Sequence, residues 1–249
     1  MARARSVAEW RTAVRETYGR AGRSEMAQSV PLNCCTGLSP EEAHAGRRGG
    51  SGLGCGDPLA HAWLKAGECV LDLGSGAGYD CLAAAVEVGL DGHVVGIDVT
   101  PEMVSRACRN AAEAGAPIVS FLLGDVQDLP FREETFDVVI SNCAINLCPD
   151  KTRTFAECCR VLRRGGRLAI SDIVAITRLP PRLEEDLALY TGCIAGAATI
   201  SQLRLTLSQA GFADIRIELR TESSDLIASW APGLGLERWI ASADITATK

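Results

Sequence analysis

Residues Val70 to Cys81 read VLDLGSGAGYDC. An apolar run that carries Asp72 passes into a loop holding Gly74, Gly76 and Gly78, and a helix-like segment follows. Short apolar runs closed by glycines read as buried strands. Glycines at these places let the backbone turn sharply and approach a ligand closely, and the helix that follows offers unpaired N–H groups to it. The stretch therefore predicts a nucleotide-type cofactor site, with a sheet and helices built around it.

Outward from that stretch, strand-like and helix-like patterns alternate, the signature of a sheet with helices on its faces. Strands are expected at 69–73, 93–98, 118–123, 136–142 and 167–173, with helices at 78–89, 101–114 and 151–163. Thr100 followed by Pro101 predicts a helix start, Gly115 ends that helix, and Gly165-Gly166 is expected to end the helix before the fifth strand. Upstream, Val7, Trp10, Val14 and Tyr18 lie near helical spacing, and 21–58 reads as loop. Downstream, 183–190 and 201–210 read as helices, and 213–219 and 240–246 as strands, the last of these completing the fold.

Composition narrows the function. A chain of 249 residues is enough for one large α/β domain. With 25 Lys+Arg against 31 Asp+Glu the net charge is -6, which disfavours nucleic acid and anionic membranes as partners. No apolar run is long enough to cross a bilayer, and the Arg-dotted first residues lack the apolar centre of a secretion signal, so a cytoplasmic protein is expected. The 11 cysteines are too few for a disulfide scaffold and odd in number, and in a reducing compartment they are thiols.

In parallel sheets ligands bind at the carboxyl ends of the strands. The polar residues collect there: the glycine loop after the first strand, Asp98 on the second, Asp125 after the third, Ser141-Asn142-Cys143 on the fourth, and Ser171-Asp172 on the fifth. Asp98 follows Asp72 by 26 residues, near the spacing at which an acid meets ribose hydroxyls. The loop pattern, D-x-G-x-G-x-G, resembles the first motif of class I S-adenosylmethionine-dependent methyltransferases. That resemblance implies a Rossmann-like α/β fold with a seven-stranded, mostly parallel sheet. It places Asp72, Gly74, Ser75, Gly76 and Gly78 around the methionine end of the cofactor, Asp98 on the ribose, Asp125 at the adenine amine, and Val99, Met103, Val126 and Asn142 in the walls. A nicotinamide oxidoreductase on the same type of sheet is the competing expectation.

Three cysteines stand beside glycines or at a strand end: Cys55 in GLGCG, Cys143 in SNCAINLCPDK and Cys193 in YTGCIAGA. With VLDLGSGAGYDC, GIDVTPEM and RLAISDIV, these segments resemble the arsenite methyltransferases. The resemblance implies that Cys55, Cys143 and Cys193 bind trivalent arsenic, with S-adenosylmethionine as methyl donor and a thiol reductant as co-substrate. It leaves Cys34 and Cys35 as candidates for an additional thiol, and Cys148 as an alternative ligand or a bystander. The chemistry agrees: a soft centre takes thiolate ligands, and the lone pair of As(III) attacks a sulfonium methyl without a general base. None of His44, His61 and His93 falls in a strand-end motif, which disfavours histidine-assisted O- or N-methylation. Cys69, Cys81, Cys108, Cys158 and Cys159 read as small core side chains.

The expected organisation is an N-terminal cap over 1–58, a cofactor-binding core over 59–175, and a part over 176–249 that completes the sheet and the substrate site, in a monomer acting on small molecules. Two alternatives remain: methylation of an organic small molecule with inert cysteines, and a thiol-rich arsenic-binding protein without turnover.

Overall fold

The computed structural model describes residues 6–23, 56–220 and 223–249. Cys34, Cys35, His44 and Cys55 lie outside the described residues. The strands are β1 (Cys69–Leu73), β2 (His93–Asp98), β3 (Val119–Leu123), β4 (Phe136–Asn142), β5 (Leu162–Ala175), β6 (Ala213–Leu219) and β7 (Ile240–Thr248). They form one seven-stranded sheet in the order β3-β2-β1-β4-β5-β7-β6. The first five are parallel, whereas β7 runs antiparallel to both β5 and β6. The seven-stranded, mostly parallel sheet is the expected one.

The helices are α1 (Val7–Arg23), α2 (Leu59–Ala62), α3 (Tyr79–Val88), α4 (Pro101–Glu113), α5 (Lys151–Val161), α6 (Pro181–Glu184), α7 (Leu187–Thr191), α8 (Ile200–Ala210) and α9 (Ser223–Trp230). One sheet face packs Leu71, Leu73 and Ile170 against Phe155 and Cys158 of α5 and Leu207 of α8. The other packs Val70, Val94 and Val138 against Cys81, Ala84 and Val88 of α3. Strands covered on both faces have no polar side to show, which is why β1 and β4 read as continuous apolar runs. Strand order turns back between β1 and β4, so a crevice opens at their carboxyl ends.

Several expectations need correction. β5 begins at Leu162, and Gly165-Gly166 lie inside it rather than ending a helix. Gly165 has φ 76 at a break in the β4–β5 register, and the stretch is held by Gly165 N donating to Lys249 O at 2.9 Å and Lys249 N donating to Gly166 O at 3.0 Å. The helix expected over 183–190 is two short ones, α6 and α7, separated at Glu185-Asp186; the Asp186 carboxylate caps the second through Leu189 N at 3.0 Å. α1 continues to Arg23, and α2 and α9 have no counterpart in the expected elements. Cys108 is exposed rather than part of the core.

Candidate functional site

The glycine loop joins β1 to α3. Gly74 has φ 70, and a Cβ there would stand 2.3 Å from the Ala144 Cβ, so the loop lies directly against the turn after β4. Gly76, φ 51, has nothing within 4 Å of its would-be Cβ among the described residues, which leaves its backbone open to a ligand. Asp98 braces the loop: one oxygen accepts from Gly76 N at 3.0 Å and the other from Thr100 N at 2.8 Å. Burial pushes the Asp98 carboxyl up, and those backbone hydrogen bonds oppose the push.

Two more acids stand beneath the loop. Asp72 accepts a hydrogen bond from the Cys81 thiol at 3.2 Å, and burial, helped by the charge of Asp80, pushes its carboxyl well up. Asp80, in the first turn of α3, is raised to about 6 by burial, although Asn142 Nδ2 donates to it at 3.2 Å. The same Nδ2 reaches Gly56 O at 3.2 Å, while Asn142 Oδ1 is buried without a partner among the described residues. Buried acids, an open glycine backbone and an orphaned amide oxygen suit a ligand that carries both positive charge and hydrogen-bond donors.

Asp125 accepts from Gln127 N at 2.9 Å and pairs with Arg11 of α1 at 2.9 Å. Met103 packs with Tyr18 and Ala21 of α1. Val99 is half-buried between Asp98 and Thr100, Val126 packs on the main core, and the Ser75 Oγ is buried without a partner among the described residues.

The thiols form the second half of the site. Cys143 follows β4 directly with φ 53, and Cys193 follows α7 with φ 63. Left-handed backbone is costly for a residue with a side chain, and such strain gathers at functional sites. The Cys193 thiol donates to Cys143 O at 2.8 Å. The two sulfurs and a carboxylate oxygen of Asp172 all lie within 4.8 Å of one another, and all three residues are buried. Cys143 is disulfide-bonded, against the expectation that the cysteines are all thiols, whereas the other described cysteines, Cys193 included, are not in disulfides.

A polar clamp holds this cluster together. Asn146, on the turn after Cys143, donates from Nδ2 to Asp172 at 2.9 Å and from its backbone N to the other Asp172 oxygen at 3.2 Å. A Cβ on Gly196 would fall 2.1 Å from Asn146 O, so the loop after Cys193 lies directly on the same turn. Tyr190 OH donates to Leu147 O at 2.9 Å. Cys148 turns away, donating to Ala144 O at 3.5 Å, with its thiol pushed up to about 11 by burial. Lys151 donates to Cys148 O at 3.5 Å; burial pulls its ammonium down, opposed by Cys148, Asp172 and Cys193 nearby.

Cofactor and thiol halves meet at two places. Gly56, the residue after Cys55, lies where a Cβ would be 2.6 Å from the Ser171 side chain, beside Asp172 and against Asn142. α1 spans both halves: Arg11 pairs with Asp125, Trp10 stacks on Tyr190 with centroids 4.2 Å apart, and Tyr18 OH donates to Thr191 O at 3.0 Å. Asp80, Asp172, Lys151 and the contacts of α1 were absent from the expected site residues. Asp80 follows the glycine loop and Asp172 ends a strand, and these positions were the available signals.

A family model described as a methyltransferase domain matches residues 64–211. The chain belongs to the methyltransferase domain family. This methyltransferase is 49% identical over 198 residues to an arsenite methyltransferase of Halobacterium salinarum, covering 80% of this chain and 51% of that protein. It is 35% identical to the human arsenite methyltransferase, covering 77% of this chain and 52% of the relative. Among solved structures it resembles an arsenic(III) S-adenosylmethionine methyltransferase from Chlamydomonas reinhardtii, with a TM-score of 0.68 and 29% identity over 95% of this chain and 73% of the other. The chain spans about half the length of the curated relatives it matches. No helix among the described residues is long and apolar enough to cross a membrane.

Proposed function

We propose that this methyltransferase transfers methyl groups from S-adenosylmethionine to trivalent arsenic held by thiolates, a reaction that serves arsenic detoxification. The observation that carries this reading is the buried approach of Cys143 and Cys193 at the carboxyl end of β4, beside the glycine loop. Two soft ligands converging next to a methyl-donor site suit a soft acceptor better than an oxygen or nitrogen nucleophile. The relatives named for arsenite support the same reading, as does the arsenic(III) enzyme of similar structure.

On this account Gly74, Ser75, Gly76, Gly78, Asp72 and Asn142 hold the methionine end of the donor, and Asp98 the ribose. Asp125 faces the adenine once Arg11 yields its place, while Val99, Met103 and Val126 line the pocket. The bound donor supplies an electrophilic methyl group on a sulfonium. Cys143 and Cys193 bind arsenic, and Cys55 is the third ligand; Gly56 is held against Asn142 and Ser171, at the strand ends from which Cys143 and Asp172 emerge. Cys148 is a bystander, because its thiol is directed to Ala144 O. A thiol reductant is the co-substrate that keeps Cys143 in its thiol form. A monomer in the reducing cytoplasm, with a cap over 1–58, a core over 59–175 and a substrate-completing part over 176–249, fits this chemistry.

The test is methyl transfer from labelled S-adenosylmethionine to arsenite, in the presence of a thiol, by the wild type and by Cys143→Ser and Cys193→Ser. Methylated arsenic from the wild type and its loss in both variants are expected. Full activity in either variant would overturn the thiol ligation. Methylation of organic acceptors alone would favour an organic-substrate enzyme, and arsenic binding without turnover a sequestering protein.

A further inference from the structure

Asp172 is the third member of the buried cluster, and thiolate ligation of arsenic leaves it without a task. Its carboxylate lies within 4.8 Å of the Cys143 and Cys193 sulfurs and is 2% exposed. Three N–H groups are directed at it: Asn146 Nδ2 at 2.9 Å, Asn146 N at 3.2 Å and Ile173 N at 2.8 Å. That many donors suit an anion, and they fix its position before any substrate arrives. Lys151 donates to Cys148 O at 3.5 Å, and the charge of Asp172 is among the influences that oppose the lowering of its ammonium by burial.

Methyl transfer to arsenic moves charge. Arsenic gives its lone pair to the methyl carbon, the carbon–sulfur bond opens with its electron pair left on sulfur, and the positive charge passes to arsenic. No proton moves. A group that lowers this barrier must be a fixed negative charge nearer to arsenic than to the donor sulfur, in a site that excludes water.

We propose that Asp172 is a catalytic residue of this reaction: its fixed carboxylate, set against the arsenic that Cys143 and Cys193 hold, stabilises the positive charge arsenic acquires as it is methylated. The inference rests on arsenite being the substrate. It differs from ligation, because a stabilising carboxylate acts on the rate of transfer and little on the binding of neutral As(III).

The experiment compares wild type, Asp172→Asn and Asn146→Ala in three measurements: As(III) affinity by equilibrium dialysis under thiol reductant, affinity for S-adenosylmethionine relative to S-adenosylhomocysteine, and the single-turnover rate of arsenic methylation. Asp172→Asn is expected to keep As(III) affinity and the ratio of cofactor affinities within about threefold, while the rate falls about 100-fold, the scale of losing one preorganised electrostatic group. Asn146→Ala removes the side-chain hydrogen bond to Asp172 but keeps the carboxylate and its two backbone donors, and a loss below about tenfold is expected. Equal losses in the two variants would assign Asp172 a merely structural part and overturn the proposal. So would an undiminished rate in Asp172→Asn, or a selective loss of S-adenosylmethionine affinity, which would place the charge at the donor. If thermal melts show that the Asn variant is unfolded, Asp172→Thr takes its place with the same expectations. Failure of the wild type to methylate arsenite would refute the substrate instead, before any variant is compared.

Discussion

The Cys193 thiol donates to the main-chain carbonyl of Cys143 across 2.8 Å, although the two residues are 50 positions apart in the chain. Both have left-handed backbone, with φ 53 and φ 63; Cys143 follows directly on β4, and Cys193 follows Gly192, the C-cap of α7. Their approach is enforced from outside the pair. Asn146 ties the turn after Cys143 to Asp172 on β5, and Gly196 lets the loop after Cys193 lie on Asn146 O.

Gly196 is the first place to test that enforcement. An added Cβ would stand 2.1 Å from a main-chain oxygen, which cannot move as a flexible side chain would. Gly196→Ala is expected to cost about 1–3 kcal/mol, as overpacking does, and to lower the melting temperature by several degrees. As(III) affinity should fall with it, because the displaced loop carries Cys193. A differential scanning calorimetry trace unchanged from wild type would show that the loop does not depend on this contact.

Asp80 makes stability depend on pH. Its folded carboxyl is raised to about 6 from an ordinary 3.8, so the folded state holds the proton more tightly. Stability from this group is therefore present at low pH and is lost as pH rises through the window from about 4 to about 6. Asp80→Asn is expected to raise the melting temperature of the cofactor-free protein at about pH 7.5, with a smaller gain at about pH 5. Equal gains at both values would remove ionisation as the cause.

Asp98 joins two functions in one carboxylate, since it braces Gly76 N and Thr100 N and stands at the expected ribose position. Asp98→Ala is expected to weaken S-adenosylmethionine binding by about 100-fold, the combined cost of a lost charged acceptor and a loosened loop. Titration calorimetry measures this, and undiminished affinity would refute the ribose role.

Cys148 separates proximity from ligation. It lies five residues beyond Cys143 and is buried, but its thiol is directed to Ala144 O. Cys148→Ala is expected to leave the rate of arsenic methylation within about twofold of wild type, the cost being confined to a small packing change. A loss like that of Cys193→Ser would make it a ligand.

The sheet was legible because its central strands are buried on both faces and so read as apolar runs with polar residues at their ends. β1, β2 and β4 have the bounds expected of them, and Asp72, Asp98 and Asp125 lie at or just past the ends of β1, β2 and β3. Gly165 was misread because a glycine with positive φ looks alike at a helix end and at a break in strand register. α9 was missed because Ser223–Trp230 is short and its burial is decided by Trp230 and Ile227 packing near the thiols. The convergence of Cys143 with Cys193 followed only from the resemblance to arsenite methyltransferases. Spacing along the chain says nothing of a contact made across 50 residues. Asp172 was visible as a strand-end acid, yet its approach to two sulfurs depends on the Asn146 clamp, which no local pattern announces.

The central claim is that arsenic on these thiols takes the methyl group directly. Wild-type protein reduced, loaded with As(III) and freed of excess should be mixed once with methyl-labelled S-adenosylmethionine and quenched over time, and the arsenic species separated by mass. The account predicts that labelled methylarsenic appears at the rate at which the donor is consumed, with no labelled protein preceding it. Label that accumulates on a cysteine first, or donor that binds and stays unconsumed beside bound arsenic, would contradict it.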